Sequence, residues 1–423
     1  MTRIGLSTKQ LQIVIIGGGA AGFFGAITCA EANPQARVTL LEASRQALTK
    51  VRISGGGRCN VTHACFDSGL LVSHYPRGGK ALRGAFSRFQ PRDTVNWFNQ
   101  RGVALKTEAD GRMFPVSDDS ATIANCLMHA AHHAGVNIRL EAPVRSVNRA
   151  DDGFQVMLKS GEQIGCDRLL LATGSSPLGY RFAQSLGHSI EAPVPSLFTF
   201  KVADADLHAR AGVSLDPVRG RLVMSGHKPI EQTGALLITH WGFSGPVVLK
   251  LSAWGARLLH QQRYRATFEI NWLPQHSTDQ VQQIISNART DMSRRAIASH
   301  CPLPLPRRLW QYLLQRSGTL QQVDIDEQRW ANLSKKLAHQ LVQELVRSQY
   351  PVTGKGVFKE EFVTCGGIRL KEVNFKTMAS RCCPGLYVAG EILDVDGVTG
   401  GFNFQSAWTT GWLAGKAMGS ETS

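Results

Sequence analysis

Hydrophobic residues along the chain fall into two regimes. In the first, short runs that are apolar at every position stop abruptly at small-residue turns: QIVII at 12–16 ends at GGGAAG (17–22), and VTLL at 38–41 ends at Glu42. A run without polar alternation predicts a strand buried on both faces, and the small-residue stretch FFGAITCAEA between the two predicts a helix lying close against them. The chain therefore opens on a parallel βαβ unit. An amphipathic helix is expected at SATIANCLMHAAHHAG (120–135), short strands at 137–140, 144–147 and 154–158, and a further apolar run at 169–171 that breaks at Ala172, Thr173 and Gly174.

Between about Val194 and Gly354 the pattern changes. SLFTFKV, RLVMSG, GALLITH and RATFEINW read as short strands separated by turns, and helical stretches follow. Leu333, Leu337, Leu341 and Leu345 recur every four residues, which predicts a helix with a core-facing stripe. The first regime then resumes with the strand LYVAGE (386–391), a glycine pair at 400–401 and the small-residue helix NFQSAWTTGWLAGKAMG. The pattern predicts an α/β fold: a two-dinucleotide Rossmann domain built from residues 1–193 and 355–423. A β-rich insert is expected over 194–275 and 320–354, carrying a helical subdomain over 276–319.

The first turn carries candidate chemistry. Its G-x-G-x-x-G lies between a strand and a helix, and an acid, Glu42, follows twenty residues after the last glycine, as a dinucleotide fingerprint requires. Gly17 permits the tight turn, Gly19 lets the backbone approach a pyrophosphate, and Gly22 lets helix and strand pack. The amides around Ala20 and Ala21 face the phosphates, and Glu42 suits ribose hydroxyls. Val144, Thr173 and Gly174 join the expected cofactor contacts. At the C-terminal end Gly390, Glu391, Asp394, Gly400, Gly401, Phe402 and Asn403 supply a carboxylate and a second helix N-terminus, which suit the ribityl chain and the electron-rich end of a flavin. The glycine-rich SGGGRCN (Ser54, Gly55, Gly56, Gly57, Arg58, Cys59, Asn60), preceded by Lys50, reads as a backbone loop able to lie against a planar ring. There Arg58 is available to a phosphate or carbonyl edge, and Asn60 offers a donor and an acceptor.

Composition removes some classes and adds one. The 423 residues contain no apolar run long enough for a membrane span and no recognisable leader, so a cytoplasmic protein is expected. Nine cysteines without CxxC spacing argue against a zinc site or a disulfide framework, and no metal is expected. The charge is unusual: 47 Lys and Arg against 32 Asp and Glu give +15. Twelve basic residues against four acids lie between Arg45 and Arg112, and six arginines against Asp291 lie in the helical part of the insert. Arg77, Lys80, Arg83, Arg88, Arg294, Arg295, Arg307 and Arg308 are thus candidate contacts to a phosphodiester chain. Solvated surface charge is the plainer alternative.

GGGAAG, SGGGRCN, THWGFSGP (239–246), VTCGG (363–367), Gly390-Glu391 and TGGFN (399–403) together resemble the BaiN/RdsA flavoprotein family, which includes aminoacetone-oxidase-like members. The resemblance spans nearly the whole chain. It implies bound FAD, a β-barrel-like insert, and dihydrouridine formation in 23S ribosomal RNA, with hydride delivered to uracil C6 and a proton to C5. A thiol suits the proton donor; Cys365 is the first candidate and Cys59 the second. No second complete G-x-G-x-x-G is present, so NAD(P)H is expected to visit the flavin directly. Phe402, Trp241 and Phe243 are candidate stacking faces for the base. A small-molecule oxidase or reductase of an amine, ketone or enone shares every cofactor residue, and a non-catalytic RNA-binding flavoprotein is the third reading.

Overall fold

The computed structural model describes residues 10–325, 328–356 and 363–420. They form two compact units, divided at Val194/Pro195 and again before Val363. The first unit thus combines both ends of the chain.

Its centre is a seven-stranded sheet. Gln12–Ile16 lies between Arg168–Leu171 and Arg37–Leu41, all parallel, with Asn137–Arg139 beyond the latter and Leu386–Val388 beyond the former. Val373–Asn374 and Ala379–Ser380 extend it antiparallel at one edge. The apolar runs occupy the middle strands because only there are both faces covered: Ile15, Leu40, Leu169, Leu170 and Leu171 have no exposed surface. A meander of Val144–Ala150, Gly153–Leu158 and Gln163–Cys166 forms a second sheet. The amphipathic helix predicted from about 120 spans Ser120–His133.

The first helix, Ala20–Ala32, crosses the last one, Phe402–Gly419, at backbone contact. A Cβ on Gly411 would lie 2.5 Å from the Ala21 carbonyl oxygen, and one on Gly415 would lie 2.5 Å from that of Gly25. Small residues at four-residue spacing in both helices are what permit this approach. Beside the crossing, Phe24 packs on Trp97 and Trp408 with ring centroids 4.5 and 5.1 Å away.

The second unit is a closed six-stranded barrel in the order Phe200–Val202, Gly242–Ser244, Ile230–Thr239, Ser214–Val223, Ala266–Asn271 and Ser348–Lys355. The α/β Rossmann fold with a barrel insert is therefore as expected, although Gly242–Ser244 and Ser348–Lys355 were not legible as strands. Phe243 and Phe268 fill the barrel, and helices Thr278–Asp291, Arg307–Gln321 and Lys335–Arg347 extend the same core through residues such as Trp310, Leu337, Leu341 and Leu345, joined by Trp330 of the short 3-10 turn Trp330–Asn332. Phe243 has no exposed surface, which corrects its assignment as a stacking face. Leu333 precedes the third helix, and the other three leucines of the stripe lie on it.

Gly411→Ala is expected to destabilise the protein by about 1–3 kcal/mol through overpacking at the crossing. Gly354→Ala, whose Cβ meets nothing within 4 Å, serves as the neutral control in thermal denaturation.

Candidate cofactor and active site

The fingerprint glycines hold the positions their spacing implies. Gly17 has φ +113°, and its Cβ would strike the Ala172 carbonyl oxygen at 2.4 Å; a Cβ on Gly22 would strike that of Gly17 at 1.9 Å. Gly19, the N-cap of Ala20–Ala32, has nothing within 4 Å of its Cβ direction. The turn is thus closed behind and open in front, and the helix start has neither a capping side chain nor an acid in its first turn. Unsatisfied amides facing open space are an anion cradle. Glu42 is held beside it: Oε2 accepts from the Gly18 amide at 2.8 Å, and Oε1 accepts from the Ser44 amide at 2.8 Å and from its hydroxyl at 2.7 Å.

SGGGRCN is less of a loop than expected. A helix, Thr49–Gly57, runs into it and leaves helical geometry only at Ser54, with Gly55 and Gly56 left-handed at φ +58° and +69°. Gly56 and Gly57 are exposed, with nothing near their Cβ directions. Asn60 spends its amide on the fold. Oriented to satisfy both neighbours, it donates to the Thr62 carbonyl and accepts from the Gly401 amide, each at 3.0 Å. That clamp joins SGGGRCN to TGGFN. Asn403 likewise closes a turn, accepting from the Gly397 amide at 2.8 Å and donating to its carbonyl at 2.9 Å.

Lys50 and Glu391 meet at 2.5 Å (Nζ to Oε2), although 341 positions separate them. Glu391 Oε1 accepts from the Thr364 amide at 3.0 Å, so the strand Val363–Ile368 that bears Cys365, the helix before SGGGRCN and the Gly390-Glu391 turn converge. A Cβ on Gly174 would lie 3.6 Å from Glu391 Oε2, which adds the Thr173-Gly174 turn. The buried Tyr180 hydroxyl has no hydrogen-bond partner; desolvation, and then the charges of Glu391 and Asp394, push its pKa up. Sequence reasoning passed over Tyr180, whose only signal was an aromatic six residues after Gly174. It also passed over His63 and His74, which stack against Phe402 with centroids 4.7 and 4.2 Å away. Phe402 is thereby covered on its ring, and its carbonyl accepts from the Tyr75 hydroxyl at 2.6 Å.

Several candidates stand corrected. The Arg58 guanidinium is taken up by Glu108 at 2.6 Å and Asp118 at 3.4 Å and lies 4.0 Å over the Phe114 ring, so it does not reach a cofactor edge as an unpaired cation. Arg77 is paired with the fully buried carboxylate of Asp396, which removes it from a phosphodiester-binding surface. Arg308 donates to the Ala209 carbonyl at 2.7 Å, and Arg88 to that of Lys376 at 3.1 Å, so both are partly structural. Trp241 donates to the Thr199 hydroxyl at 3.3 Å within the second unit. Cys365 and Cys59 have no exposed surface. Burial pushes the Cys59 thiol up to about 12, against the near-neutral thiol expected of a proton donor. Among the described residues, His188, Glu372 and Cys382 bring potential metal-ligand atoms within 4.8 Å of one another. Hydrogen bonds from His188 Nδ1 to Glu372 (3.1 Å) and between Nε2 and Ser380 (2.8 Å) already account for that geometry.

The open glycine backbones, the two uncapped helix starts and the orphaned Tyr180 hydroxyl fit a long cofactor with a diphosphate and a polar ring. Gly19→Asp has space for its side chain but puts a carboxylate where the diphosphate goes. The variant is expected to keep wild-type circular dichroism and to lose flavin affinity on the order of a hundredfold, read from absorbance at the flavin band. For Cys59, a pKa near 12 leaves about one thiolate in ten thousand at pH 8. Iodoacetamide is therefore expected to label exposed Cys382 in the native protein and to reach Cys59 only on unfolding, as peptide mapping would show.

Comparison with known proteins agrees with this geometry. Residues 11–417 match the family described as HI0933-like protein Rossmann domain. The chain is 30% identical to a ribosomal RNA dihydrouridine synthase of Escherichia coli over 97% of its own length and 98% of the relative's. It is equally 30% identical to a 3-dehydro-bile acid delta(4,6)-reductase of Clostridium scindens, over 96% and 98%. A 3-ketosteroid-delta4-(5alpha)-dehydrogenase of Rhodococcus jostii RHA1 shares the fold at 15% identity and a TM-score of 0.50, covering 98% of this chain and 99% of that one. The chain belongs to the HI0933-like Rossmann family of FAD-dependent oxidoreductases.

Proposed function

We propose that the protein reduces a uridine of 23S ribosomal RNA to dihydrouridine, with NAD(P)H recharging the flavin. Relatives of equal identity bear the names of an RNA-modifying enzyme and a bile-acid reductase, so similarity alone does not choose between them. Charge carries the reading. A bile acid offers a single carboxylate, whereas a phosphodiester backbone repeats its negative charge at every nucleotide, so a net charge of +15 favours the RNA. Lys80 and Arg83 stand exposed on the short helix Gly79–Phe86, and Arg294, Arg295 and Arg307 are exposed in the second unit. An RNA substrate of this kind puts the protein in the cytoplasm.

In this reading the open turn at Gly19, with the helix start at Ala20 and Ala21, holds the FAD diphosphate, and Glu42 holds the ribose. Lys50, Glu391 and the bare backbone of Gly55, Gly56 and Gly57 position the ring. Bound FAD supplies the hydride that adds at uracil C6. Cys365 is the proton donor to C5 in this reading; its thiol is buried in the strand Val363–Ile368, beside the Thr364 amide that Glu391 holds, so the base must be brought into reach of it. Cys59 is the weaker candidate because its thiol holds its proton too tightly. The bile-acid relative favours a second reading, reduction of a small conjugated enone, in which the same flavin and acid act on a carbon–carbon double bond beside a carbonyl.

Deleting the gene and mapping dihydrouridine in 23S RNA tests the proposal. One modified position is expected to revert to uridine, to be restored by the wild-type gene, and to remain uridine with Cys365→Ala. Persistence of every dihydrouridine in the deletion strain rules out the RNA reading, and full restoration by Cys365→Ala rules out only the assigned acid.

A further inference from the structure

The helix Pro177–Ser185 follows the Thr173-Gly174 turn and has two functional faces. Tyr180 is buried and feels the charges of Glu391 and Asp394. Leu178, Arg181 and Phe182, at helical spacing on another face, line a separate pocket of about 430 Å³ together with Arg145, Val147 and Lys159. The opposite wall is the strand that begins at Val144, and the helix wall begins three residues after Gly174. Arg145, Lys159 and Arg181 have no ion pair among the described residues, and no carboxylate lines the pocket. Three like charges around one concavity repel each other until an anion enters, and the apolar floor of Val147, Leu178 and Phe182 suits the face of a base.

We propose that this pocket takes the phosphorylated adenylate end of the reduced nicotinamide dinucleotide that charges the flavin. The proposal rests on the part of the functional reading that names NAD(P)H as reductant, and not on the identity of the RNA. The chain has a single complete dinucleotide fingerprint, so the visiting nucleotide needs an anchor elsewhere. A site sharing a helix with the cofactor side supplies one. Cationic side chains on phosphate oxygens form charge-assisted hydrogen bonds, and a 2′-phosphate adds a second anionic group for them.

Calorimetric titration of the FAD-loaded protein with 2′,5′-ADP and with 5′-AMP reads the pocket directly, and stopped-flow reduction by NAD(P)H reads its use. The Arg145→Glu/Arg181→Glu double variant is expected to bind 2′,5′-ADP about tenfold more weakly or worse. The NAD(P)H concentration for half-maximal flavin reduction should rise by a similar factor, while the limiting rate stays within about twofold. Both substituted residues are exposed, and Lys159→Glu provides an independent variant; Arg181→Lys should retain most of the binding. Unchanged adenylate affinity and half-saturation in the variants overturns the proposal. So does a loss of affinity for an RNA oligonucleotide with half-saturation unchanged, since the cations would then serve the RNA. A wild-type flavin that NAD(P)H does not reduce removes the proposal and the nicotinamide reading together. Normal reduction without dihydrouridine formation removes only the RNA reading.

Discussion

The backbone-to-backbone crossing of Ala20–Ala32 and Phe402–Gly419 is the constraint on which the site depends. Both helices begin without a capping side chain, at Gly19 and at Gly401. Their separation is fixed by the thickness of two glycine-lined helices, since Gly411 and Gly415 leave no slack against the Ala21 and Gly25 carbonyls. The Asn60 amide then locks SGGGRCN onto Gly401, and the Lys50–Glu391 pair ties the preceding helix to the Gly390 turn. Each of these links joins the two ends of the chain.

That arrangement explains which features were legible. Gly17, Gly19 and Gly22 act through their own backbone, so their spacing carries the geometry directly, and the structure puts each where that spacing implies. The all-apolar strands were legible for a similar reason, because burial on both faces writes itself into consecutive residues. Gly242–Ser244 is too short to show a period, and Ser348–Lys355 buries alternate residues but holds Pro351 and only two large apolar side chains, Tyr350 and Val352, so its sequence does not announce a strand. Side-chain partners were not legible at all. Nothing local marks Glu108 and Asp118 as the partners of Arg58, or Asp396 as the partner of Arg77, because each pair closes over 50 or more positions. The thiol of Cys59 was misjudged for the same reason: its proton affinity is set by burial, which is a property of the fold.

The charge excess also changes its meaning once the structure is known. Part of the basic surplus is neutralised internally, through Arg58, Arg77, Arg101 and Arg112. Other cations, among them Lys80, Arg83 and the three of the pocket beside Pro177–Ser185, have no counter-ion among the described residues. An excess of charge informs about partners only after the paired fraction has been removed.

The order in which the chain leaves the ribosome adds a consequence. The barrel unit is continuous in sequence and has all its strands once Ser348–Lys355 is made. The first helix, in contrast, waits for a partner nearly four hundred residues later. Until then its glycine-lined face is bare, and domains fold as units during synthesis. Assembly of the first unit is therefore a late event that follows synthesis of the final helix, and a truncation that removes only that helix leaves the Ala21 and Gly25 carbonyls of the first helix without the surface they pack on.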